Sequence, residues 1–486
     1  MARSIMIQGT MSNAGKSFLT AALCRIFRED GHSPAPFKSQ NMALNSYITA
    51  DGLEMGRAQA MQAEAAGIEP SVLMNPVLLK PTTDTGSQVI VNGKVRGDMK
   101  AAVYFRHKKA LLPEILSAFE ALAAQHDILV IEGAGSPVEL NLKADDIVNM
   151  GLALQTKSPV LLVGDIDRGG IFAQLLGTLQ LLEPEERALV KGLIVNRFRG
   201  DPKLFADGIR ILEERSGLPV LGVVPYLDAD IEDEDSLSDK LGNTEHGRPD
   251  IAVIALPKLS NFTDFDAFLQ YEGAAVRYVR RPSELGAPDL VILPGTKSTI
   301  ADMRWLRESG METAVKRLAA GGTPIFGICG GYQILGEEIS DPLCSEGGGS
   351  ICGMGLLPCR TVFAAEKHRS RVTGHFAQLS GFWSCLSGAA YEGYEIHMGE
   401  TAGTGTPLTE AGGFCTENVC GCYVHGIFDT AEVSGRLMEA LLHREVTAID
   451  RRTYKEQQFD RLAEGVRKSL DMAKIYQILE EGASWT

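Results

Sequence analysis

The chain has 486 residues and a formal net charge of -15, with 44% hydrophobic and 22% charged residues. Its length exceeds one ordinary hydrophobic core and predicts two domains. The acidic balance argues against general binding of nucleic acid or anionic membrane. No apolar run approaches a membrane span, and the first residues form a strand-like segment rather than a secretory signal. Nine scattered cysteines without a C-x-x-C pair indicate free thiols, so we expect a cytoplasmic protein.

Short apolar runs alternate with amphipathic stretches in the first half of the chain. This alternation predicts an α/β, doubly wound domain over residues 1–227, with a parallel sheet between two layers of helices. The predicted strands are Ser4–Gln8, Ser33–Phe37, Asp127–Ile131, Val160–Val163, Gly192–Val195 and Pro219–Val224, and the predicted helices are Lys16–Arg28, Tyr104–Ala124 and Pro202–Ser216.

A glycine-rich loop, GTMSNAGKS at Gly9–Ser17, follows the first predicted strand and leads into a predicted helix. It is one residue longer than the usual P-loop motif. A loop in this position points backbone N–H groups and a helix N-terminus at an anion. We predict that Gly15, Lys16 and Ser17 bind ATP, with Lys16 at the outer phosphates and Ser17 at Mg²⁺. A glycine turn that only caps the helix is the alternative.

Acidic and amide side chains end two later strands of this half. Glu132 closes one strand, where an acid can hold Mg²⁺ or its water. Asn196 closes another, where its amide can bond the edge of a base. Asp145 and Asp146 follow the Glu132 segment, and we predict that Asp146 positions a substrate carboxylate or a metal ion. A plain strand-end role is the alternative for Glu132 and for Asn196.

Residues 228–249 are rich in acidic residues and poor in apolar ones, which predicts an acidic linker. Alternation then resumes and predicts a second doubly wound domain over residues 250–446, followed by a charged helical tail over 447–486. The predicted strands are Ile251–Ala255, Ala274–Val279, Leu290–Leu293, Thr323–Ile328 and Gly421–Val424, and Gly347–Gly353 is expected to form a glycine-rich loop.

A cysteine between glycines follows the predicted strand Thr323–Ile328. Such a cysteine sits on a strained turn that exposes its sulfur. We predict that Cys329 is a nucleophile and that backbone N–H groups of Gly295 and Gly330 form its oxyanion hole. His425, at the end of a distant strand, is the predicted base. The alternative for Cys329 or His425 alone is a buried structural side chain.

These motifs together resemble the cobyric acid synthase family of glutamine-dependent amidotransferases in cobalamin biosynthesis. The front half resembles dethiobiotin-synthetase-type P-loop proteins, and the back half resembles the triad glutamine amidotransferases. The resemblance covers nearly the whole chain. The stretches that carry it are Gln8–Ser17, Pro36–Met42 (PFKSQNM), Asp51–Gln59 (DGLEMGRAQ), Met74–Pro81 (MNPVLLKP), Glu132–Leu142 (EGAGSPVELNL), Leu293–Thr299 (LPGTKST), Gly327–Gln333 (GICGGYQ), Gly393–Gly399 (GYEIHMG) and Tyr423–Asp429 (YVHGIFD).

The resemblance implies a ligase that uses ATP and glutamine to amidate the b, d, e and g carboxylates of adenosylcobyrinic acid a,c-diamide. The matching residues are Cys329 for the nucleophile, His425 for its base, Gln333 for glutamine binding, and Lys16, Ser17 and Glu132 for the nucleotide and Mg²⁺. Many relatives have His-Pro-Glu where this chain has His425-Gly426-Ile427. The orienting carboxylate is missing at that place, so we expect a Cys–His dyad.

The expected partners are glutamine, ATP and a corrinoid, with Mg²⁺ accompanying ATP and no tightly bound cofactor, nucleic acid or membrane. ATP would activate a carboxylate as an acyl phosphate in the first domain, and Cys329 would release ammonia in the second. The basic segment Lys94–Lys109 is a candidate wall for the corrinoid carboxylates, with a solvated helix face as an equal alternative.

Two other functions stay open at this point. Cobyrinic acid a,c-diamide synthase is a sister enzyme with both domains, although Asp51–Gln59 and Met74–Pro81 favour the cobyric acid synthase family. The other is a non-enzymatic P-loop partner protein with an inactive glutaminase-like domain, which the presence of both Cys329 and His425 disfavours.

Overall fold

The structure, a computed structural model, describes residues 2–81, 86–231, 246–448, 450–482 and 484–485. The described chain forms two compact units. The first unit contains residues 2–42, 54–81, 86–231, 455–482 and 484–485, and the second contains residues 43–53, 246–448 and 450–454. Most of the acidic linker predicted at 228–249 lies outside the described residues.

The strands fall into sheets whose members are distant in sequence. In chain order they are β1 (Ala2–Gly9), β2 (Pro34–Phe37), β3 (Gln40–Met42), β4 (Ser46–Ile48), β5 (Glu54–Gly56), β6 (Val77–Pro81), β7 (Gly86–Val91), β8 (Lys94–Lys100), β9 (Ile128–Glu132), β10 (Val160–Asp165), β11 (Val190–Phe198), β12 (Val220–Pro225), β13 (Asp250–Ile254), β14 (Ala275–Val279), β15 (Leu290–Leu293), β16 (Ile325–Ile328), β17 (Glu338–Asp341), β18 (Gly349–Cys352), β19 (Cys359–His375), β20 (Ala390–Gly403), β21 (Thr406–Thr409), β22 (Gly412–Cys415), β23 (Val419–Cys422) and β24 (Ser484–Trp485).

The helices connect these strands and cover the sheets. They are α1 (Lys16–Glu29), α2 (Arg57–Ala66), α3 (Ala101–His107), α4 (Leu112–Ala123), α5 (Met150–Thr156), α6 (Ile171–Leu181), α7 (Pro184–Leu189), α8 (Ala206–Ser216), α9 (Pro282–Leu285), α10 (Thr299–Glu308), α11 (Met311–Ala320), α12 (Gly330–Leu335), α13 (Ala431–Leu442), α14 (Arg451–Ser469) and α15 (Met472–Glu481). Of the helices in the described residues, none combines the length and the apolar character needed to cross a bilayer.

The main sheet of the first unit has the strand order β12-β11-β10-β1-β9-β2, and these strands pair in parallel. The central strands are buried almost throughout, as expected for a parallel sheet that helices cover on both faces. A second sheet of the first unit, β3-β6-β7-β8, is mixed. The predicted α/β fold of this half is therefore confirmed.

The C-terminal helices complete the core of the first unit. Phe459, Val466 and Ile475 belong to the same apolar cluster as Leu23 and Phe27 of α1. Burying these side chains together is favourable by roughly 1.5–3 kcal/mol for each one fully buried. Residues 455–482 thus belong to a packed unit, whereas the sequence suggested a separate tail from residue 447. The domain limits drawn from the sequence stay a prediction.

Three local expectations are wrong in detail. The helix predicted at Tyr104–Ala124 is interrupted by a 3₁₀ turn at Lys108–Leu111. Helix α4 follows this turn and has Pro113 in its first turn, where a backbone N–H would have no partner within the helix. The basic segment Lys94–Lys109 is a strand followed by a short helix and not one helix face. Within the glycine-rich segment Gly347–Gly353, residues Gly349–Cys352 form a strand instead of a loop.

The main sheet of the second unit has the order β14-β13-β15-β16-β23-β22-β21. The strands from β14 to β23 are parallel, and β22 and β21 are antiparallel additions at one edge. A smaller sheet, β18-β17-β19-β20, contains the long hairpin of β19 and β20. The second α/β domain predicted from the sequence is therefore also confirmed.

Candidate active sites

The glycine-rich loop after β1 forms a close turn at the N-terminus of α1. Gly15 has a φ of 94°, which an L side chain rarely adopts. A Cβ on Gly15 would lie 2.0 Å from Nδ2 of Asn196, which donates a hydrogen bond to the Ala14 carbonyl at 2.9 Å. Asn196 therefore holds the loop through this hydrogen bond. Its predicted contact with a base stays a prediction.

The side chains predicted to bind ATP and Mg²⁺ meet at this loop. Lys16 is buried, and its ammonium donates to the carbonyls of Met11 at 3.0 Å and Gly135 at 3.1 Å. The Ser17 hydroxyl donates to Oε1 of Glu132 at 2.8 Å. The end of β9 thus reaches the start of α1, because β1 and β9 are parallel neighbours.

Glu132 is fully buried and has partners that the sequence did not reveal. Lys38 forms an ion pair with its Oε1 at 2.9 Å, and Gln62 donates to its Oε2 at 2.5 Å. A buried carboxylate needs such compensation, since an unpaired charge is very costly away from water. The polar run PFKSQNM directly after an apolar strand was the available signal for Lys38.

The oxygen donors at this loop fit a hard divalent cation. Magnesium prefers one or two carboxylates, hydroxyl oxygens and substrate phosphates as ligands. Ser17 and Glu132 supply a hydroxyl and a carboxylate within hydrogen-bond distance of each other, beside a phosphate-binding loop. The binding of ATP and Mg²⁺ by these particular residues stays a prediction.

The carboxylate of Asp146 accepts hydrogen bonds from the backbone, and its predicted role in positioning a substrate carboxylate or a metal ion stays a prediction. Oδ1 accepts hydrogen bonds from the N–H groups of Val148 at 2.8 Å and Asn149 at 2.9 Å, and Oδ2 accepts from Gly151 at 2.9 Å. Asp146 therefore holds the turn that leads into α5, whose N-cap residue is Asn149. Asp145 lies at the surface, 3.8 Å from the ammonium of Lys109.

The predicted nucleophile in the second unit sits on a strained turn between β16 and α12. Cys329 has φ 50° and ψ -108°, outside the comfortable regions for an L residue. Its N–H donates to the Cys422 carbonyl at 2.9 Å, and its sulfur lies 3.7 Å from the Ile396 carbonyl. A Cβ on Gly330 would lie 2.5 Å from the Thr296 methyl, so glycine is required beside the nucleophile.

His425 lies next to Cys329 because β16 and β23 are parallel neighbours. Its side chain is buried and lies close enough to the Cys329 side chain for that group to raise its pKa. A Cβ on Gly295 would lie 3.0 Å from Cε1 of His425, so the loop after β15 also reaches this point. The structure therefore brings Cys329, His425, Gly295 and Gly330 together, and the roles assigned to them stay predictions.

The expected Cys–His dyad is wrong, because a carboxylate reaches His425 from another part of the chain. Oδ2 of Asp264 accepts a hydrogen bond from Nδ1 of His425 at 2.7 Å, and its Oδ1 accepts one from the Gly426 N–H at 3.0 Å. Asp264 lies on the buried 3₁₀ helix Phe262–Phe268. An acid inside this apolar run was the weak sequence signal for it.

The electrostatic environment of His425 favours the imidazolium. Complete burial lowers the pKa of His425, but the adjacent Asp264 carboxylate and the Cys329 side chain outweigh that effect and raise it to about 10. A protonated imidazole at neutral pH can donate a proton to a leaving group. Nδ1 is held by Asp264, whereas Nε2, the nitrogen that would serve the nucleophile, lies 3.2 Å from Nδ2 of Asn261.

Residues that precede β5 in the sequence belong to this site. The segment Ala43–Leu53 packs with the second unit, where the Ser46 N–H donates to Oδ1 of Asn261 at 3.1 Å. The Tyr394 hydroxyl donates to the Ser46 carbonyl at 3.1 Å. Asn261 Nδ2 lies 3.2 Å from Nε2 of His425, and the Tyr394 ring stacks on the imidazole at 5.3 Å between centroids. No sequence signal indicated this arrangement.

Gln333 lies one helical turn after the nucleophile and is buried. Its Oε1 accepts a hydrogen bond from the Thr299 hydroxyl at 3.0 Å, and its Nε2 donates to the Tyr423 hydroxyl at 3.2 Å. Both ends of the amide are therefore held in one orientation. Its predicted contact with glutamine is not visible in the protein alone and stays a prediction.

Models of known protein families match both halves of the chain. A model described as CobB/CobQ-like glutamine amidotransferase domain matches residues 250–433, and one described as CobQ/CobB/MinD/ParA nucleotide binding domain matches residues 5–238. A cobyric acid synthase from Lachnoclostridium phytofermentans is 54% identical over 99% of this chain and 100% of its own length. Cobyric acid synthases from Ruminiclostridium cellulolyticum and Citrobacter koseri are 53% and 50% identical, over 99% of this chain and 98% and 99% of theirs.

The contact between Asp264 and His425 gives a prediction for the pH dependence of glutamine hydrolysis. Asp264→Asn should lower the glutaminase kcat by about 10²- to 10⁴-fold, because it removes the group that orients and charges the imidazole. It should also move the alkaline loss of activity to lower pH. The sign follows from the raised pKa of His425: the protonated form persists in the native protein until the pH rises through about 10.

Glutamate release measured across pH tests this expectation. Asp266→Asn is the matched control, since Asp266 lies on the same 3₁₀ helix but pairs with Arg451 at 3.6 Å. An unchanged alkaline limb in Asp264→Asn would contradict the role assigned to Asp264.

Proposed function

This chain belongs to the cobyric acid synthase family, and we propose that it amidates a corrinoid by dividing the reaction between its two units. It is a glutamine-hydrolysing ligase with a nucleotide-binding P-loop domain, and its family membership implies glutamine and ATP as substrates. The proposed reaction is amidation of the b, d, e and g carboxylates of adenosylcobyrinic acid a,c-diamide to give adenosylcobyric acid. The names of the relatives do not favour the sister a,c-diamide synthase.

The hydrogen bond between Asp264 and His425, with Cys329 beside the imidazole at the end of the neighbouring strand, is the observation that carries the proposal. The thiolate of Cys329 would attack the carboxamide carbon of glutamine, and the N–H groups of Gly330 and Gly295 would face the developing oxyanion. His425 would then give its proton to the departing ammonia, leaving a thioester on Cys329. Water, deprotonated by His425, would hydrolyse this thioester and release glutamate.

The loop of the first unit supports the activation half of the reaction. A carboxylate does not accept ammonia in water, because its oxygen is a poor leaving group. The γ-phosphoryl group of ATP would pass to the corrinoid carboxylate, with the Lys16 ammonium and the N–H groups at the start of α1 stabilising the charge. Ser17 and Glu132 would hold Mg²⁺, which neutralises phosphate charge when bound. Ammonia would then displace phosphate from the acyl phosphate.

A basic, partly apolar surface of the first unit supports a corrinoid as the substrate. Strand β8 and helix α3 expose basic side chains beside Val95, Val103 and Phe105, which are also exposed. The macrocycle carries apolar faces and peripheral carboxylates, so both kinds of side chain suit it. The basic residues are Lys94, Arg96, Lys100, Arg106 and Lys109.

The location of the protein is proposed from its thiols. All nine cysteines lie in the described residues and are unpaired. Unpaired cysteines are typical of a reducing compartment, which supports the cytoplasm.

The first test separates the two reactions. Cys329→Ala should reduce glutamine-dependent synthesis by about 10³-fold or more, because the nucleophile is lost. Synthesis with high external ammonium should persist, since activation needs no thiol. Mass spectrometry of the corrinoid counts the amidations and so separates the proposed product from that of the sister enzyme. Cys344→Ala, which removes an exposed cysteine, is the control. Loss of the ammonium-dependent reaction in Cys329→Ala would contradict the division proposed here.

The second test addresses the phosphate-binding loop. Lys16→Ala should abolish synthesis from glutamine and from ammonium alike, since it removes positive charge from the transferring phosphoryl group. Cys329 should still react with a glutamine-like alkylating agent, because the second unit is unaltered. Lys191→Ala, at an exposed position of β11, serves as the control. Retained synthesis in Lys16→Ala would show that ATP binds elsewhere.

The third test concerns the basic surface. The double substitution Arg96→Gln and Lys100→Gln should raise the KM for the corrinoid by roughly tenfold, because each exposed ion pair is worth up to about 1 kcal/mol. Glutamine hydrolysis should keep its KM for glutamine. Arg210→Gln, an exposed arginine on α8, is the matched control. An unchanged KM for the corrinoid would exclude this surface from substrate binding.

A further inference from the structure

Two histidines and a glutamate face one another across the hairpin of β19 and β20. His368 and His397 are directly opposite in the register of the two strands, and Glu395 lies two residues before His397. Residues two apart on a strand share a face, so all three side chains point to the same side of the sheet. One ligand atom from each residue lies within 4.8 Å of the other two.

The carboxylate of this cluster is buried with only imidazoles to balance its charge. Oε2 of Glu395 lies 3.2 Å from Nε2 of His368 and 3.7 Å from Nε2 of His397. The Glu395 side chain is only 11% exposed. Both ion-pair partners described for this carboxylate are imidazoles, and a buried carboxylate is costly unless its charge is compensated. A cation between the three side chains would remove this cost.

The orientation of His397 points to the kind of cation. Its Nδ1 lies 2.8 Å from the Gly399 carbonyl and therefore donates a hydrogen bond to it. Among the described residues, the buried Nε2 of the same ring has no hydrogen-bond partner. A lone pair on this atom, facing a carboxylate oxygen, would be repulsive unless a proton or a metal ion lay between them. Histidines that ligate metals are commonly held in this way, with the other nitrogen donating to a backbone carbonyl.

We propose that His368, Glu395 and His397 bind a divalent transition-metal ion, Zn²⁺ being the probe of choice. Two imidazole nitrogens and one carboxylate oxygen suit Zn²⁺, Ni²⁺ or Co²⁺, whereas Mg²⁺ and Ca²⁺ prefer oxygen ligands alone. The Ser370 hydroxyl, 3.0 Å from Nε2 of His368, would give up that hydrogen bond when the ion binds. His368 is exposed, so the ion can enter from solvent.

This ion would hold the strand that contacts the nucleophile and take no part in the chemistry. Ile396, between two of the ligands, presents its carbonyl to the Cys329 sulfur at 3.7 Å. The His397 ring stacks on Tyr423 at 3.6 Å between centroids, and the Tyr423 hydroxyl accepts a hydrogen bond from Gln333. None of the three ligands is among the residues proposed to bind ATP, Mg²⁺ or glutamine, so the existence of this site does not depend on the proposed reaction.

Metal titration of the full chain tests the proposal. After removal of metal by a chelator, Zn²⁺ binding is measured by competition with a chromophoric chelator, and Co²⁺ binding by its visible absorption. We expect one ion per chain with nitrogen and oxygen ligands. His368→Ala should weaken its affinity by at least about tenfold, as for loss of a ligand, while a circular dichroism spectrum shows an unchanged fold.

His375→Ala is the matched control, because His375 lies on the same strand, is exposed and lies 3.5 Å from a carboxylate, Glu410, without a third ligand. The His375→Ala variant should bind Zn²⁺ as the wild type does. Glu395→Gln should lose the ion as His368→Ala does. Binding unaffected by His368→Ala, a thiolate-to-cobalt charge-transfer band, or the absence of a tightly bound ion in the wild type would each overturn the proposal.

Discussion

Parallel strand pairing is the constraint on which both candidate sites depend. The carboxyl ends of parallel strands emerge at one edge of a sheet, so residues distant in sequence meet there. In the first unit this edge gathers Lys16, Glu132 and Asn196 from the ends of β1, β9 and β11. In the second unit it gathers Cys329 and His425 from β16 and β23. Two unrelated chemistries thus use the same geometric device, once for a phosphate-binding loop and once for a nucleophile.

Each site is organised around a buried carboxylate that is compensated by a cation. Glu132 is paired with Lys38, and Asp264 with His425. Such a pair adds little net stability, because desolvation offsets most of the attraction. The pair instead fixes the position of the carboxylate, because separating the two partners would leave an uncompensated charge in the interior. A carboxylate fixed in this way keeps Ser17 oriented in one site and the His425 ring in the other.

The compact units do not coincide with continuous halves of the chain. Ala43–Leu53 contributes Ser46 to the surroundings of His425, although its sequence neighbours on both sides belong to the first unit. Residues 455–482 return to the first unit after the whole second unit. Their apolar side chains fill the layer against α1, which explains why a charged terminal segment is nonetheless well packed. A fragment cut at the acidic segment would lack part of its own core or site.

The sequence alone determined the two α/β domains, the P-loop and the nucleophile turn, because apolar periodicity and glycine spacing are local properties. It also indicated Glu132, Cys329 and His425, which follow or end strands, and Ser17, which follows the glycine-rich loop. Only the tertiary structure decided what surrounds them. Asp264 and Lys38 carry only weak local signals, and their roles are recognised from the partners that the fold brings to them. The backbone contacts of Asp146 could not be foreseen either. An aspartate that binds a metal ion and one that accepts hydrogen bonds from backbone N–H groups look alike in sequence. These contacts arise from packing between residues far apart in sequence, which local patterns do not encode.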